Sequence, residues 1–551
     1  MADGQGSIAT AIVDAVGGAR GSNDPARVAA ALLCVPASDL EAFLHARFEA
    51  ESLGPPLTTG LGASPGAASG RLVLSADEAL DAADAGHSVI LVRTETTPDD
   101  VMGMQVSAGI LTTRGGITSH AAVVARGWGI PAVVGAADIV LVDDGVRIAD
   151  RHLPRGTVMS IDGRSGHVYA GAGTTSTDTA PDELDVLLGW ADVARWSARR
   201  PVRVRANADT ADDAAHARRM GAEGIGLCRT EHMFLADDRL PLVRRFILSD
   251  DPGDEAALLA ELEVAQRADF AGILREMAGR PVTVRLLDPP LHEFLPDLEP
   301  LVAAEARGEL DELMRAELAA ARRLHEVNPM IGTRGVRLGV VRPGLYQMQV
   351  RALLRAVGDV TSEGIAADVE VMIPLVVDAS EMSLARRWVE EAAASVEFTG
   401  TVTTGSMIET PRAALLADRL ATVSDFFSFG TNDLTQLTFG FSRDDVGSKL
   451  LPRYVSDGLL DGDPFDSVDV DGVGWLVRHA CEEARRVRPT MKIGVCGEHA
   501  GDPASARLFV DCGVDYVSCS PYRVPVTRLA VAQALVAAGL VDSDALAALG
   551  H

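Results

Sequence analysis

The sequence predicts an α/β protein: a small α/β domain followed by a (β/α)8 TIM barrel. Three observations carry that expectation. Between residues 185 and 545, short apolar runs recur eight times with helical stretches between them. Polar residues stand at or just past the carboxyl ends of those runs, where barrel enzymes carry their chemistry. Ahead of them, residues 57–172 alternate β-runs and helices over a length that suits one domain.

Taken in order, residues 1–56 read as short helices, with apolar residues at helical spacing in Val28–Leu33 and Leu40–Leu44. Gly54-Pro-Pro and the glycine-rich stretch from Gly60 to Gly66 then break the chain. In the small domain, Val89–Val92, Ala108–Thr112, Ala132–Gly135, Gly156–Asp162 and His167–Tyr169 read as strands. Residues 173–184 are small, polar and aperiodic and read as a flexible linker that frees the preceding domain to move. The barrel strands are expected in 185–551 at Val202–Asn207, Gly224–Cys228, Val282–Leu287, Val369–Pro374, Val402–Ile408, Phe426–Gly430, Ile493–Cys496 and Tyr516–Ser520. A doubly wound open sheet is the competing topology and would need fewer strands on so long a chain.

Composition narrows the function. Of the 551 residues, 47% are apolar and 23% charged, ordinary for a globular protein. The net charge of −28, from 78 acidic and 50 basic side chains, disfavours nucleic acid and anionic membranes as partners. No run of apolar residues is long enough to span a bilayer, and the N-terminus does not read as a signal peptide. None of the six cysteines forms a CxxC pair, so reduced thiols in a cytoplasmic protein are expected, with Cys34, Cys481 and Cys512 as buried structural residues.

The chemistry concentrates in a few stretches. Gly115-Gly-Ile-Thr-Ser-His120 follows a strand and opens a helix; Thr118 or Ser119 can cap that helix. His120 then lies in the first turn, where the helix dipole favours an anion. By local chemistry alone it is either a phosphoryl acceptor or a histidine packed against the turn. At neighbouring strand ends stand Glu409 and, in Gly430-Thr-Asn-Asp, Asp433. Two converging carboxylates beside the Asn432 carbonyl form a hard oxygen site suited to Mg²⁺, the alternative for each acid being a helix cap. Arg229, Arg285, Arg334 and Arg443 carry the guanidinium forks that grip phosphate and carboxylate, surface ion pairs being the alternative. Cys496, between glycines at a strand end, can exchange a proton with a bound ligand, or it is a buried structural thiol.

The stretches Thr96–Asp100, Gly115–His120, Gly226–Phe234, Arg285–Pro296, Asn328–Gly335, Met407–Ala413, Phe427–Gln436 and Cys496–His499 resemble, in order, those of the phosphoenolpyruvate-utilising enzyme family, in its dikinase branch. Ser119 before the histidine separates the chain from phosphoenolpyruvate synthase. The wording Leu286–Phe294 separates it from enzyme I of the sugar phosphotransferase system. The resemblance implies a phosphohistidine swivel domain at 57–172 with His120 as the phosphoryl carrier, and a barrel that binds phosphoenolpyruvate or pyruvate. It implies that Arg285 and Arg334, with Arg229 and Arg443 nearby, hold the substrate's phosphate and carboxylate. Glu409 and Asp433 would ligate Mg²⁺, the loop Gly430, Thr431 and Asn432 would contact substrate, and Cys496 would move the methylene proton. It also implies a homodimer. A phosphocarrier that passes its group to another protein, as enzyme I does, is the alternative function; a non-catalytic regulatory remnant is a second.

Dikinases carry a large ATP-grasp region ahead of the histidine domain, whereas only residues 1–56 precede it here, without a Gly-rich phosphate loop. The ATP half-reaction is accordingly expected to be missing or supplied by a separate ATP-grasp polypeptide. The helical segment at 25–50 is expected to lay its apolar face on the barrel or to dock such a chain.

Overall fold

A computed structural model of the chain describes residues 8–49, 52–96, 100–116, 119–176, 180–236, 239–249, 251–296, 298–398, 400, 402–447 and 450–549. Two helices lead, α1 (Ile8–Ala19) and α2 (Pro25–Cys34). The small domain's main sheet comprises β1 (Thr58–Thr59), β2 (Leu61–Ser64), β3 (Ala67–Val73), β4 (Val89–Arg93), β5 (Gly109–Thr112), β6 (Ala132–Val134), β7 (Val158–Asp162) and β8 (His167–Ala170). Their spatial order is β1-β8-β7-β3-β4-β5-β6-β2, with β3 to β6 parallel.

Helix α3 (His120–Trp128) packs on one face of this sheet through Ala121, Ala122 and Ala125, among Ile110 and Val134. The other face buries Ile90, Val92 and Ile161 beneath the antiparallel ribbon formed by Ile139–Val142, Gly145–Ile148 and Arg151–Pro154. Gly115, at φ 96°, supplies the turn between β5 and α3. Ser119 occupies the cap position, but its side chain makes no capping bond and its Oγ is buried without a partner. The expected Ser119 cap is therefore absent, and Thr118 lies outside the described residues.

After the small domain, Thr175–Ser176 pairs antiparallel with Arg47–Phe48, residues 177–179 lie outside the described residues, and α4 (Glu183–Trp196) begins. Each of the eight apolar runs then becomes one barrel strand: β9 (Arg203–Asn207), β10 (Ile225–Arg229), β11 (Pro281–Arg285), β12 (Asp368–Ile373), β13 (Thr403–Ile408), β14 (Phe426–Phe429), β15 (Lys492–Val495) and β16 (Tyr516–Cys519). All pairs are parallel, and Arg203 against Tyr516 closes the ring. Parallel strands buried on both faces need continuous apolar sequence, and β14 is buried at all four positions. One polar knot crosses the interior, where Arg205 meets Glu370 at 2.9 Å and lies over the Tyr516 ring. Charges this deep persist only when paired.

Helices α1 and α2 set Ile12, Val16, Val28 and Leu32 into the same core as α4, α6 (Val524–Ala537) and α7 (Ser543–Leu549); α5 (Thr431–Phe439) follows β14. The Gln533 amide donates to the carbonyls of Leu32 and Val35, each at 2.7 Å. The barrel itself thus covers the apolar face of this segment. Cys34 is exposed, contrary to expectation, because it falls off the Val28–Ala31–Leu32–Val35 stripe that faces the barrel. Cys481 and Cys512 are buried. Among the described residues, no helix is long and apolar enough to cross a membrane.

Candidate active site at the carboxyl rim of the barrel

A cavity of about 800 Å³ opens at the carboxyl ends of the strands, lined by Arg229, Arg285, Arg334, Gly430, Asn432, Asp433 and Cys496 among others. Arg229 and Arg285 are the last residues of β10 and β11. Arg334 arrives from the long β11–β12 connection, through a turn at Gly335 whose N–H donates to the Asp288 carbonyl.

Each candidate arginine is already held by carboxylates. Arg229 clasps Asp209 with Nε and Nη2, at 3.0 and 2.8 Å, and His232 Nδ1 lies 2.8 Å from the same oxygen. Although burial raises the Asp209 carboxyl, Arg229 and His232 hold it well below the usual carboxylate range. Arg285 pairs with Glu231 and, at 3.1 Å, with Asp288; its Nε is buried without a partner. Arg334 grips Asp288 at 2.5 Å and reaches Asp433 at 3.2 Å. These pairings fix three guanidinium groups around one cavity before any ligand arrives, which is how a site avoids reorganisation cost. Arg443 differs: it does not line the cavity but turns onto Glu498 at 3.0 Å, over the Phe465 ring. Glu498 takes only its Nη2, and Arg443 Nε is buried without a partner.

Glu409 follows β13 and is fully buried. Its Oε1 accepts the Leu375 N–H, while Oε2 has no partner. Burial first, then the charges of Asp433 and Asp288, push its carboxyl well above the usual glutamate range. Gly430 makes this geometry possible, since a Cβ there would lie 2.7 Å from Glu409 Oε2 and 2.6 Å from Met407 Cε. Asp433 stands in the first turn of α5 rather than at the strand end. A buried carboxylate oxygen without a donor, beside a second acid, has the chemistry of a cation site, and the residues present fit Mg²⁺. Among the described residues no group of three or more His, Cys, Asp or Glu is gathered as a metal site. Two carboxylates, with the remaining positions left to water and substrate, match the way Mg²⁺ is bound. The Asn432 side-chain carbonyl accepts the Glu498 N–H at 3.0 Å.

Cys496 directly follows β15 and is 1% exposed, its Sγ 3.7 Å from the Phe429 carbonyl. Burial lifts its thiol to about 11, so it carries its proton at neutral pH. Thr431 is buried, its hydroxyl 2.8 Å from His499 Nδ1, and Gly497 leaves the room that this contact needs. Glu293 also lines the cavity, and burial raises it to about 7.

His120 is the first residue of α3, and the far end of that helix touches the barrel rim. Arg126 donates to the Ala63 carbonyl and forms an ion pair with Glu498 at 3.1 Å. Sequence reading did not single out Asp209, Glu231, His232, Glu293 or Glu498. Only their proximity to the arginines and the cavity marks them, although Glu231, His232, Glu293 and Glu498 sit inside the distinctive motifs.

Residues 191–536 match the family model described as PEP-utilising enzyme, PEP-binding domain, and residues 86–166 match PEP-utilising enzyme, mobile domain. The chain belongs to the PEP-utilising enzymes. Its domains are of the pyruvate, phosphate dikinase type. It is 48% identical over 516 residues to a chloroplastic pyruvate, phosphate dikinase of Flaveria trinervia, covering 91% of this chain and 53% of that one. It is 47% identical over 521 residues to chloroplastic pyruvate, phosphate dikinase 1 of Arabidopsis thaliana, covering 92% and 53%. Identity to pyruvate, phosphate dikinase 2 of Oryza sativa subsp. japonica is 47% over 517 residues, covering 92% and 58%. The chain thus spans about half the length of the curated relatives it matches.

Proposed function

We propose that this chain carries the phosphoenolpyruvate/pyruvate half of a dikinase reaction, with His120 as the phosphoryl carrier. The observation that carries the reading is the unpartnered Glu409 oxygen beside Asp433, under a cavity ringed by fixed arginines and floored by a protonated thiol. Arg285 and Arg334, with Arg229 beside them, take the substrate's phosphate and carboxylate, and Arg443 acts from behind through Glu498. The Gly430–Asn432 backbone borders the substrate. Glu409 and Asp433 would hold Mg²⁺, which supplies neutralisation of the negative charge that grows on the enol oxygen and the phosphoryl group.

In the forward direction an imidazole nitrogen of His120 attacks phosphorus as the bond to the enol oxygen breaks. The electron pair stays on that oxygen, and the arginines offset its charge. Cys496 then gives its proton to the methylene carbon, yielding pyruvate, and solvent returns a proton to the thiolate. A site for ATP and phosphate would complete the cycle, on further residues of the same polypeptide or on a separate ATP-grasp chain. Pairing of two barrels into a homodimer, as the resemblance implies, belongs to the same reading.

Label exchange between pyruvate and phosphoenolpyruvate, with Mg²⁺ and no nucleotide, tests the half-reaction. Exchange that is absent, or that survives His120→Ala, would sink it. Passage of label from His120 to a second protein instead of to pyruvate would favour the phosphocarrier.

A further inference from the structure

We infer that Glu498 is the docking post for the mobile domain, joining the far end of the His120 helix to the substrate loop of the barrel. The inference rests on the proposed carrier role of His120. Three groups meet on this one residue. Arg126 of α3 reaches Glu498 Oε1 at 3.1 Å, Arg443 reaches Oε2 at 3.0 Å, and Asn432 Oδ1 accepts the Glu498 N–H at 3.0 Å. Arg443 is itself tied back to α5, its N–H donating to Gln436 Oε1 at 2.9 Å. The carboxylate thus bridges a helix of the mobile domain and the loop that bears Asn432 and Asp433, and it lies two residues from Cys496.

The seat is shaped as well as charged. α3 ends in Gly129 at φ 66°, and a Cβ there would lie 2.4 Å from the Tyr522 ring, so only glycine lets the helix end settle on that ring. Burial raises the Glu498 carboxyl, but Arg126 and then Arg443 hold it at about 2, so it stays charged across the working range. His120 lies six positions before Arg126, about 9 Å along a helix axis, so a bond at Arg126 restrains the helix that carries the histidine. With Arg126 20% and Glu498 33% exposed, the pair is partly sheltered and is screened less than a fully exposed one. When α3 leaves, Arg126 must regain water and Glu498 keeps only Arg443. Undocking therefore changes the charge balance next to the substrate loop, and docking and loop order are coupled in both directions.

The test uses the full 551-residue chain as wild type, Arg126→Met and Glu498→Gln, with two independent readouts. The first is backbone hydrogen exchange at Gly129–Ile130 and Pro521–Arg523, on the two sides of the seat. Both variants should exchange several-fold faster there, with β9 to β16 unchanged. The second is single-turnover phosphorylation of His120 by phosphoenolpyruvate, expected to slow about 10- to 100-fold in both variants. Labelling of His120 by phosphoramidate, a small donor that needs no docking, should match wild type. Wild-type exchange at the seat or wild-type transfer in either variant would overturn the inference, as would an effect confined to Arg126→Met. If phosphoenolpyruvate fails to phosphorylate even the wild type, the functional reading falls, and the exchange readout still decides the docking post.

Discussion

Glu409 accepts the backbone N–H of Leu375 at 2.5 Å, and Leu375 stands at φ 56°, a left-handed conformation that a leucine adopts only under constraint. Such a backbone costs of order 1–3 kcal/mol, and structures keep it mainly at functional sites. The same glutamate leaves its other oxygen buried without a partner. Strain and an uncompensated carboxylate meet at one point, and a bound cation would relieve the second.

The first prediction follows from the sign of that carboxyl's shift. Its raised value means that the folded protein holds the proton more tightly than the unfolded chain does. The stability from this is fully present below the ordinary glutamate range and is lost as pH rises through the raised value. Glu409→Gln removes the titration, so without Mg²⁺ the variant should be more stable than wild type at pH 8, by roughly 1–3 kcal/mol. At pH 5 the two should melt alike. Mg²⁺ should raise the wild-type melting temperature at pH 8 and leave the variant unmoved; equal responses to Mg²⁺ would remove Glu409 as a ligand.

The second concerns Arg334, which spans Asp288 and Asp433 with separate nitrogens. A lysine keeps the charge but cannot span both acids or grip a phosphate in fork geometry. Arg334→Lys should weaken phosphoenolpyruvate binding by about 10- to 100-fold, corresponding to about 1.4–2.7 kcal/mol. Equilibrium binding to the full chain measures this, and unchanged affinity would place Arg334 outside the substrate's grip.

The third turns on the Cys496 thiol. Because burial holds it near 11, the thiolate that would abstract a proton from pyruvate is scarce at neutral pH and grows about tenfold per pH unit. Solvent exchange of pyruvate's methyl protons should therefore climb from pH 7 to 9 in the wild type. Cys496→Ala should bind substrate but exchange about 10²–10⁴-fold more slowly. A flat profile, or an active alanine variant, would assign the proton to another group.

The fold was legible because parallel barrel strands must be apolar throughout. Runs such as Phe426–Phe429 and Val282–Val284 announce themselves, and the polar residues that end some of them, such as Asn207, Arg229 and Arg285, fall on the rim by construction. Local sequence also placed His120 at a helix start. What stayed hidden was pairing across long sequence separations. Nothing near Arg443 indicates that its Nη2 pairs with Glu498, and nothing near Arg229 names Asp209 as its partner. Ser119 looked like a cap by composition, yet its hydroxyl makes no capping bond. Nothing near Asn432 indicates that its side-chain carbonyl accepts the Glu498 N–H.

A fourth prediction uses the room beside Glu409. Gly430→Ala would push a methyl to within 2.7 Å of Glu409 Oε2, against a loop that cannot retreat because Gly497 already packs on Thr431. The variant should fold, since Gly430 lies past the end of β14, but lose the Mg²⁺-dependent rise in melting temperature. A wild-type Mg²⁺ response would show that the loop does not form the cation site.

The central claim is that His120 receives the phosphoryl group directly from phosphoenolpyruvate on this chain. Incubation of the purified protein with [³²P]phosphoenolpyruvate and Mg²⁺, without nucleotide, followed by peptide mapping measures it most directly. The account predicts an acid-labile, base-stable label on the peptide that contains His120, released as phosphoenolpyruvate when pyruvate is added and absent from His120→Ala. Label that is missing, that sits on another residue, or that persists in the alanine variant would contradict it.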